Sequence, residues 1–226
     1  MRKRAEDILS LVEKTERELS SDSTNISGEV AIGGTLPPTL LRSAAALQSH
    51  YPDISFQFYS GDATDVTERL DHGNLDFAIL LQPIDTSKYE YLSLPDHSLW
   101  GVLMQRSSPF SDQPVIHAGE LMQMPLILHR RTGLQQTIAD WAQTDIDHLH
   151  ITATYNVVNG SPVNFVKHGI GYFLTTRDLL APELDADVVF LPLDPALEVQ
   201  YHLVWKRKNI FSHAARLYLD HVRDMI

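Results

Sequence analysis

The sequence predicts an α/β protein, a largely parallel sheet covered by helices and laid down in two β/α series. Three observations carry that prediction. Residues 28–81 alternate short apolar strands with amphipathic helical stretches in the order β-α-β-α-β. A second series follows between Leu126 and Leu174. The segment Leu75–Leu81 is apolar almost throughout, as suits a strand buried on both faces of a parallel sheet. With 226 residues, 43% of them hydrophobic, the chain is long enough for one large α/β domain or two small ones.

Residues 2–20 read as a helix, because Ile8, Leu11, Val12, Thr15 and Leu19 recur at three- and four-residue steps among charges. The polar stretch from Ser20 to Asn25 separates this helix from the first strand. Its narrow stripe is therefore expected to pack on another chain, the alternative being a helix on the domain's own core. Val30 and Ile32 belong to a strand ending at Gly33-Gly34, and the next helix is expected to begin near Leu36 or Pro37 with Thr35 as a possible N-cap. Leu36, Leu40, Leu41, Ala44 and Leu47 form its buried face, and Pro52 limits its end. Ile54, Phe56 and Phe58 alternate as a second strand. Asp62 is placed to cap a helix through Val66 and Leu70, which Gly73 can close by taking a left-handed conformation.

Residues 89–106 are expected to form two more strands. The second series then reads strand 126–128, helix 134–141, strand 150–155, helix 162–168 and strand 172–174. Strands near 188–191 and 199–205 come next, and a last helix carries Phe211, Ala215, Leu217, Leu219 and Val222. Two β/α series in a chain of this size suggest two small subdomains with a cleft between them.

Charge and composition remove several functions. The net charge is −11, whereas a nucleic-acid surface is basic. Residues 1–20 hold five basic and five acidic side chains, so the rest of the chain carries the whole excess. Without cysteine there is no disulfide and no thiolate metal site, and the cytoplasm is the expected location. The longest apolar run, Phe77 to Leu81, is far short of the about 20 residues a membrane helix needs, and no signal sequence is visible near Met1.

Several segments in a fixed order carry a resemblance. Gly28-Glu29-Val30-Ala31-Ile32-Gly33 opens a strand, and the helix after it ends at Tyr51-Pro52-Asp53-Ile54. Gly61 begins a second helix that leads to Gly73-Asn74-Leu75-Asp76-Phe77-Ala78-Ile79. Further on come Pro125-Leu126-Ile127-Leu128 and Gly169-Ile170-Gly171-Tyr172-Phe173-Leu174. The series resembles the effector-binding domain of LysR-type transcriptional regulators over the whole chain after the linker. Thr175-Thr176 stands where that family usually has a proline. Asp76, at the start of its strand, is expected to bond nearby backbone amides.

The resemblance implies a periplasmic-binding-protein-like fold with two Rossmann-like subdomains joined by two crossing strands. Residues 1–27 would be the linker helix and polar linker, 28–105 with 206–226 the first subdomain, and 106–205 the second. It also implies a parent protein that contacts DNA only through an N-terminal winged helix-turn-helix, with Met1 expected to stand at the start of that family's linker helix. Self-association as a homodimer or homotetramer is implied too, through the linker stripe and through the Leu36–Leu47 helix against the Leu134–Trp141 region of a partner. No membrane partner is expected.

In an α/β sheet, ligands gather beyond the carboxyl ends of strands, where helix starts present free amides. Four segments satisfy this rule, and the resemblance places all of them on the cleft: Gly34-Thr35-Leu36, Leu81-Gln82-Pro83, His129-Arg130-Arg131-Thr132 and Asn159-Gly160-Ser161. Thr175 is a fifth candidate. Two helix starts and the arginines favour a small anionic or polar effector. Thr35 and Ser161 serve equally well as mere N-caps, and Arg130 and Arg131 as a solvated loop pair. His148 and His150, near Asp145 and Asp147, could share a strand face, but without a third ligand at a set spacing they read as a polar rim. Trp100, Trp141 and Trp205 read as packing residues. No nucleophile–base or phosphate-loop motif is present, so no cofactor, metal or catalytic residue is assigned. The leading reading is a non-enzymatic sensor. The alternative is an extracytoplasmic-type solute-binding protein of the same fold, and an enzyme on that scaffold is a third possibility.

Overall fold

The computed structural model describes residues 26–156 and 162–226. The expected helix over residues 2–20, the linker after it, and Asn159, Gly160 and Ser161 all lie outside the described residues. The rest divides into two compact units, one running to Asp96 and resuming with Gln200–Ile226, the other His97–Val199.

In the first unit the strands are β1 (Gly28–Gly33), β2 (Ile54–Tyr59) and β3 (Phe77–Leu80), with helices α1 (Pro38–His50) and α2 (Ala63–Asp71) between them. β1 lies in the middle, parallel to β2 with Gly28 opposite Ile54, and parallel to β3 with Ile32 opposite Phe77. This is the expected β-α-β-α-β arrangement. Two long strands come later in the chain, β4 (Tyr89–Gln105) and, much further on, β9 (Glu198–Lys206), whose Val204 pairs antiparallel with Ala78 of β3. The last helix of the unit is α6 (His213–Asp224).

Alternation along β1 sends side chains to two cores. Ala31 joins Val66 and Leu70 of α2, with Ala78, Leu80 and Val204. Val30 and Ile32 are buried on the other side, the side of α1 and α6. There Phe77 lies 5.2 Å from Phe211 and 5.8 Å from Tyr218, with Trp205 edge-on at 6.4 Å. The Tyr218 hydroxyl donates to the Leu40 carbonyl at 3.1 Å, so the phenol keeps a partner inside this apolar cluster. The expected local signals are in place. Asp62 accepts from the Asp65 amide at 2.9 Å, Gly73 takes φ +77°, and buried Asp76 accepts from the Ala31 amide at 2.9 Å, tying β1 to the start of β3.

The second unit contains α3 (Ala118–Leu121), β5 (Leu126–His129), α4 (Thr132–Trp141), β6 (Ile151–Tyr155), α5 (Pro162–Lys167), β7 (Tyr172–Thr176) and β8 (Val188–Pro192). β5 runs parallel to β6 and β7, with Leu128 opposite Thr154 and Ile127 opposite Phe173. The far part of β4 pairs antiparallel with β7 and with β8, Val102 lying opposite both Leu174 and Leu191. Leu103, Ile127, Tyr155, Val166, Phe173 and Val188 make one core, while Leu134, Ile138 and Ala139 bury the inner face of α4.

Three expectations are corrected. Where two strands were expected over residues 89–106, Tyr89–Gln105 form one continuous strand of 17 residues, since Pro95 is accommodated without ending it. His148 ends a short 3-10 turn over Ile146–His148 and His150 precedes β6, so the two histidines share no strand face. Thr35 does not cap α1: the N-cap is Pro37, with Pro38 as the first helical residue.

Candidate functional site

The first unit brings one candidate segment to the carboxyl end of β1. Gly34 donates its amide to the Tyr59 carbonyl at 2.9 Å and adopts φ +109°. A Cβ there would stand 2.8 Å from the Ile79 carbonyl oxygen, so only glycine lets the chain turn this closely over β3. Thr35 and Leu36 come next, half-buried, and lead into Pro37. Gln82 and Pro83 are exposed in the loop after β3.

The start of α1 differs from the anion-ready helix start that was expected. Pro37 and Pro38 have no amide hydrogen. The Leu40 amide turns back to the Pro37 carbonyl at 3.1 Å. The Thr39 amide donates to Oδ1 of Asp96 on β4 at 3.3 Å. Asp96 escaped the sequence reading, since nothing in local spacing links two residues 57 positions apart. The Pro-Pro pair, which leaves a helix short of donors, was the available hint.

In the second unit, His129, Arg130, Arg131 and Thr132 lie at the end of β5 and the start of α4. The Arg130 amide donates to the Tyr155 carbonyl at 2.6 Å, and the Gln135 side-chain amide donates to the His129 carbonyl at 2.9 Å. The Arg131 amide donates to Nδ1 of His129 at 3.0 Å, so that nitrogen is unprotonated and a neutral ring carries its hydrogen on Nε2. Tyr155 stands edge-on to the His129 ring, with centroids 5.3 Å apart. Burial pushes the Tyr155 phenol up to about 12, opposed by a hydrogen bond with the Thr175 side chain, and its hydroxyl donates to the Leu174 carbonyl at 3.2 Å. Thr175 is itself 1% exposed, in β7 opposite Gly101 of β4.

Arg131 is the N-cap of α4, in an extended conformation. No side chain caps the helix and its first turn has no acidic residue. Arg130 is exposed and Arg131 half-buried, and burial lowers the pKa of the Arg131 guanidinium. The structure thus groups His129, Arg130, Arg131 and Thr132 at one helix start, with Tyr155 against His129 and Thr175 bonded to Tyr155. Gly34, Thr35 and Leu36 form a separate group in the other unit. Trp100 and Trp205 are buried, and the Trp141 indole donates to the Pro195 carbonyl at 2.7 Å. Among the described residues no three His, Asp or Glu side chains gather as a metal site, and no helix is long and apolar enough to cross a membrane.

Comparison with known proteins settles the family. Residues 25–226 match the LysR substrate binding domain. The chain belongs to that family. As a LysR substrate-binding domain it is the ligand-sensing regulatory part of a transcriptional regulator, with the fold those domains share. It is 22% identical over 212 residues to the uncharacterized HTH-type transcriptional regulator YwbI of Bacillus subtilis (strain 168), covering 88% of this chain and 67% of that protein. The fold is similar to that of HinK, a LysR family transcriptional regulator from Pseudomonas aeruginosa (TM-score 0.70, 18% identity, 99% of this chain and 78% of that one). It is also similar to the effector-binding domain of QuiR, solved in complex with shikimate (TM-score 0.74, 15% identity, 88% of this chain and 97% of that one).

Proposed function

We propose that this LysR substrate-binding domain senses a small polar metabolite bearing an anionic group, and that the anion is held at the start of α4. The observation that carries the reading is the uncapped helix start, with an extended N-cap arginine, half-buried and pinned by His129. An α-helix offers its first amides and the positive end of its dipole to an anion, and Arg131 adds a full charge. Ser161 and its neighbours Asn159 and Gly160 are proposed to contribute in the same unit. Gly34, Thr35, Leu36, Gln82 and Pro83 are proposed as the contacts of the other unit. The domain is not proposed as an enzyme: it binds, changes the balance of its conformations, and so alters how its parent, a cytoplasmic homodimer or homotetramer, sits on promoter DNA.

A thermal-shift panel of small carboxylates, beginning with shikimate, tests the reading. A true effector at a hundred times its Kd adds about 2.7 kcal/mol of stability, which is plain in such a scan. Arg131→Ala is then expected to abolish most of the shift while leaving the ligand-free melting temperature nearly unchanged. A shift that survives in Arg131→Ala means that the anion is held elsewhere. The domain alone is expected not to retard duplex DNA at physiological salt, because its net charge of −11 repels phosphate.

A further inference from the structure

The start of α1 already has a carboxylate on it. Two of its first positions, Pro37 and Pro38, offer no hydrogen, and the Thr39 amide is taken by Oδ1 of Asp96 at 3.3 Å. Thr39 is 2% exposed, and its hydroxyl accepts from Nη2 of Arg42 at 2.9 Å. The second carboxylate oxygen of Asp96, Oδ2, is enclosed and has no hydrogen-bond partner among the described residues. An enclosed acceptor without a donor is costly, and a negative one more so. A ligand carboxylate brought to this helix start would meet no unused first-turn amide and the like charge of Asp96.

We infer that Asp96 is a specificity-determining residue of the effector site at Gly34–Leu36: it bars anionic groups from the start of α1 and selects a ligand group that donates hydrogen bonds, an ammonium in the favourable limit, to Oδ2. The inference rests on the reading that the effector touches Gly34–Leu36. It assigns opposite preferences to the two helix starts, anion at α4 and donor at α1.

Amide-resolved NMR titration of the whole 226-residue chain tests it with two small probes, acetate and methylammonium. In the wild type, methylammonium is expected to shift the Leu36, Thr39 and Asp96 amides saturably, and acetate to leave them unmoved. Asp96→Ala frees the Thr39 amide and removes the charge, so acetate binding there should tighten about tenfold and the methylammonium response should vanish. Asp96→Asn keeps an acceptor for Thr39 and loses only the charge. It should lose methylammonium and gain less acetate, and it keeps the test valid if the alanine variant does not fold. Wild-type acetate binding equal to that of Asp96→Ala overturns the inference and leaves the effector site standing. No response at these amides to either probe in any of the proteins overturns both the inference and the placement of a site at α1. The Thr132 amide reports on α4 separately.

Discussion

The starts of α1 and α4 lie just beyond the carboxyl ends of comparable parallel strands, β1 and β5, yet they are finished in opposite ways. At α1 the chain turns through Gly34, enters by two prolines and receives the Asp96 carboxylate on the Thr39 amide. At α4 the turn has no left-handed residue, the N-cap is an arginine, and a neutral histidine nitrogen fixes that arginine's amide. The two turns share a position at a strand's carboxyl end, and three or four turn residues make the proposed charge preferences of the two helix starts opposite.

The largest expected effect is at α4. Arg131→Ala should weaken a carboxylate effector by roughly ten- to a hundredfold, as the loss of one charge-assisted hydrogen bond implies. Calorimetry with the acid found by thermal shift measures it, and an affinity unchanged by the substitution would make the two helix starts equivalent. Next comes the turn before α1. Gly34→Ala forces a Cβ to 2.8 Å from the Ile79 carbonyl at a φ that side chains avoid, and should cost about 2 kcal/mol of stability in denaturant unfolding. A neutral outcome would show that the turn can relax and is no fixed template.

Thr35→Val is expected to act on affinity alone. Thr35 caps nothing, so the fold should be untouched and effector binding should weaken by no more than about tenfold. A loss matching that of Arg131→Ala would break the contrast between the two starts. The smallest effect concerns pH on the α1 side. His202, opposite Leu80 at the end of β3, is 2% exposed, and burial lowers its pKa below the ordinary 6.5. The folded state thus favours the neutral ring. Its contribution is intact above pH 6.5 and is lost as pH falls from there toward the lowered folded value. His202→Gln, compared with wild type in thermal melts from pH 7.5 to 5, should show the shallower decline. Parallel curves would mean that burial leaves this histidine's protonation unaltered.

The backbone of this molecule was largely legible. Alternation at Ile54, Phe56 and Phe58, the Asp62 cap and Gly73 are local signals, and each acts within a few residues of itself. The first unit's order was readable because β-α-β connections leave little freedom. The errors arose where distant partners decide. Pro95 reads as a strand breaker until its neighbours hold β4 extended through it, and Thr35 reads as a cap until Pro37 takes that place. At the candidate sites, His129–Thr132 could be picked out because the turn residues come directly after a strand. Asp96 could not, because its contact with Thr39 exists only once β4 and α1 are packed together.

The first unit is made of two pieces of chain, and the second is inserted between them. On the ribosome, the segment from His97 to Val199 is synthesised before β9 and α6 exist, which at about 5–20 residues per second takes on the order of ten seconds. Throughout that interval Phe77 lacks Trp205, Phe211 and Tyr218, its eventual ring neighbours. The inserted unit is contiguous and can mature first, while the unit begun earlier waits with an apolar sheet face bare. A chain truncated after Val199 and released from the ribosome should accordingly yield one protease-resistant fragment, the inserted unit. Birth order and completion order would then be reversed, and a nascent chain's need for chaperone shelter would fall on its older half.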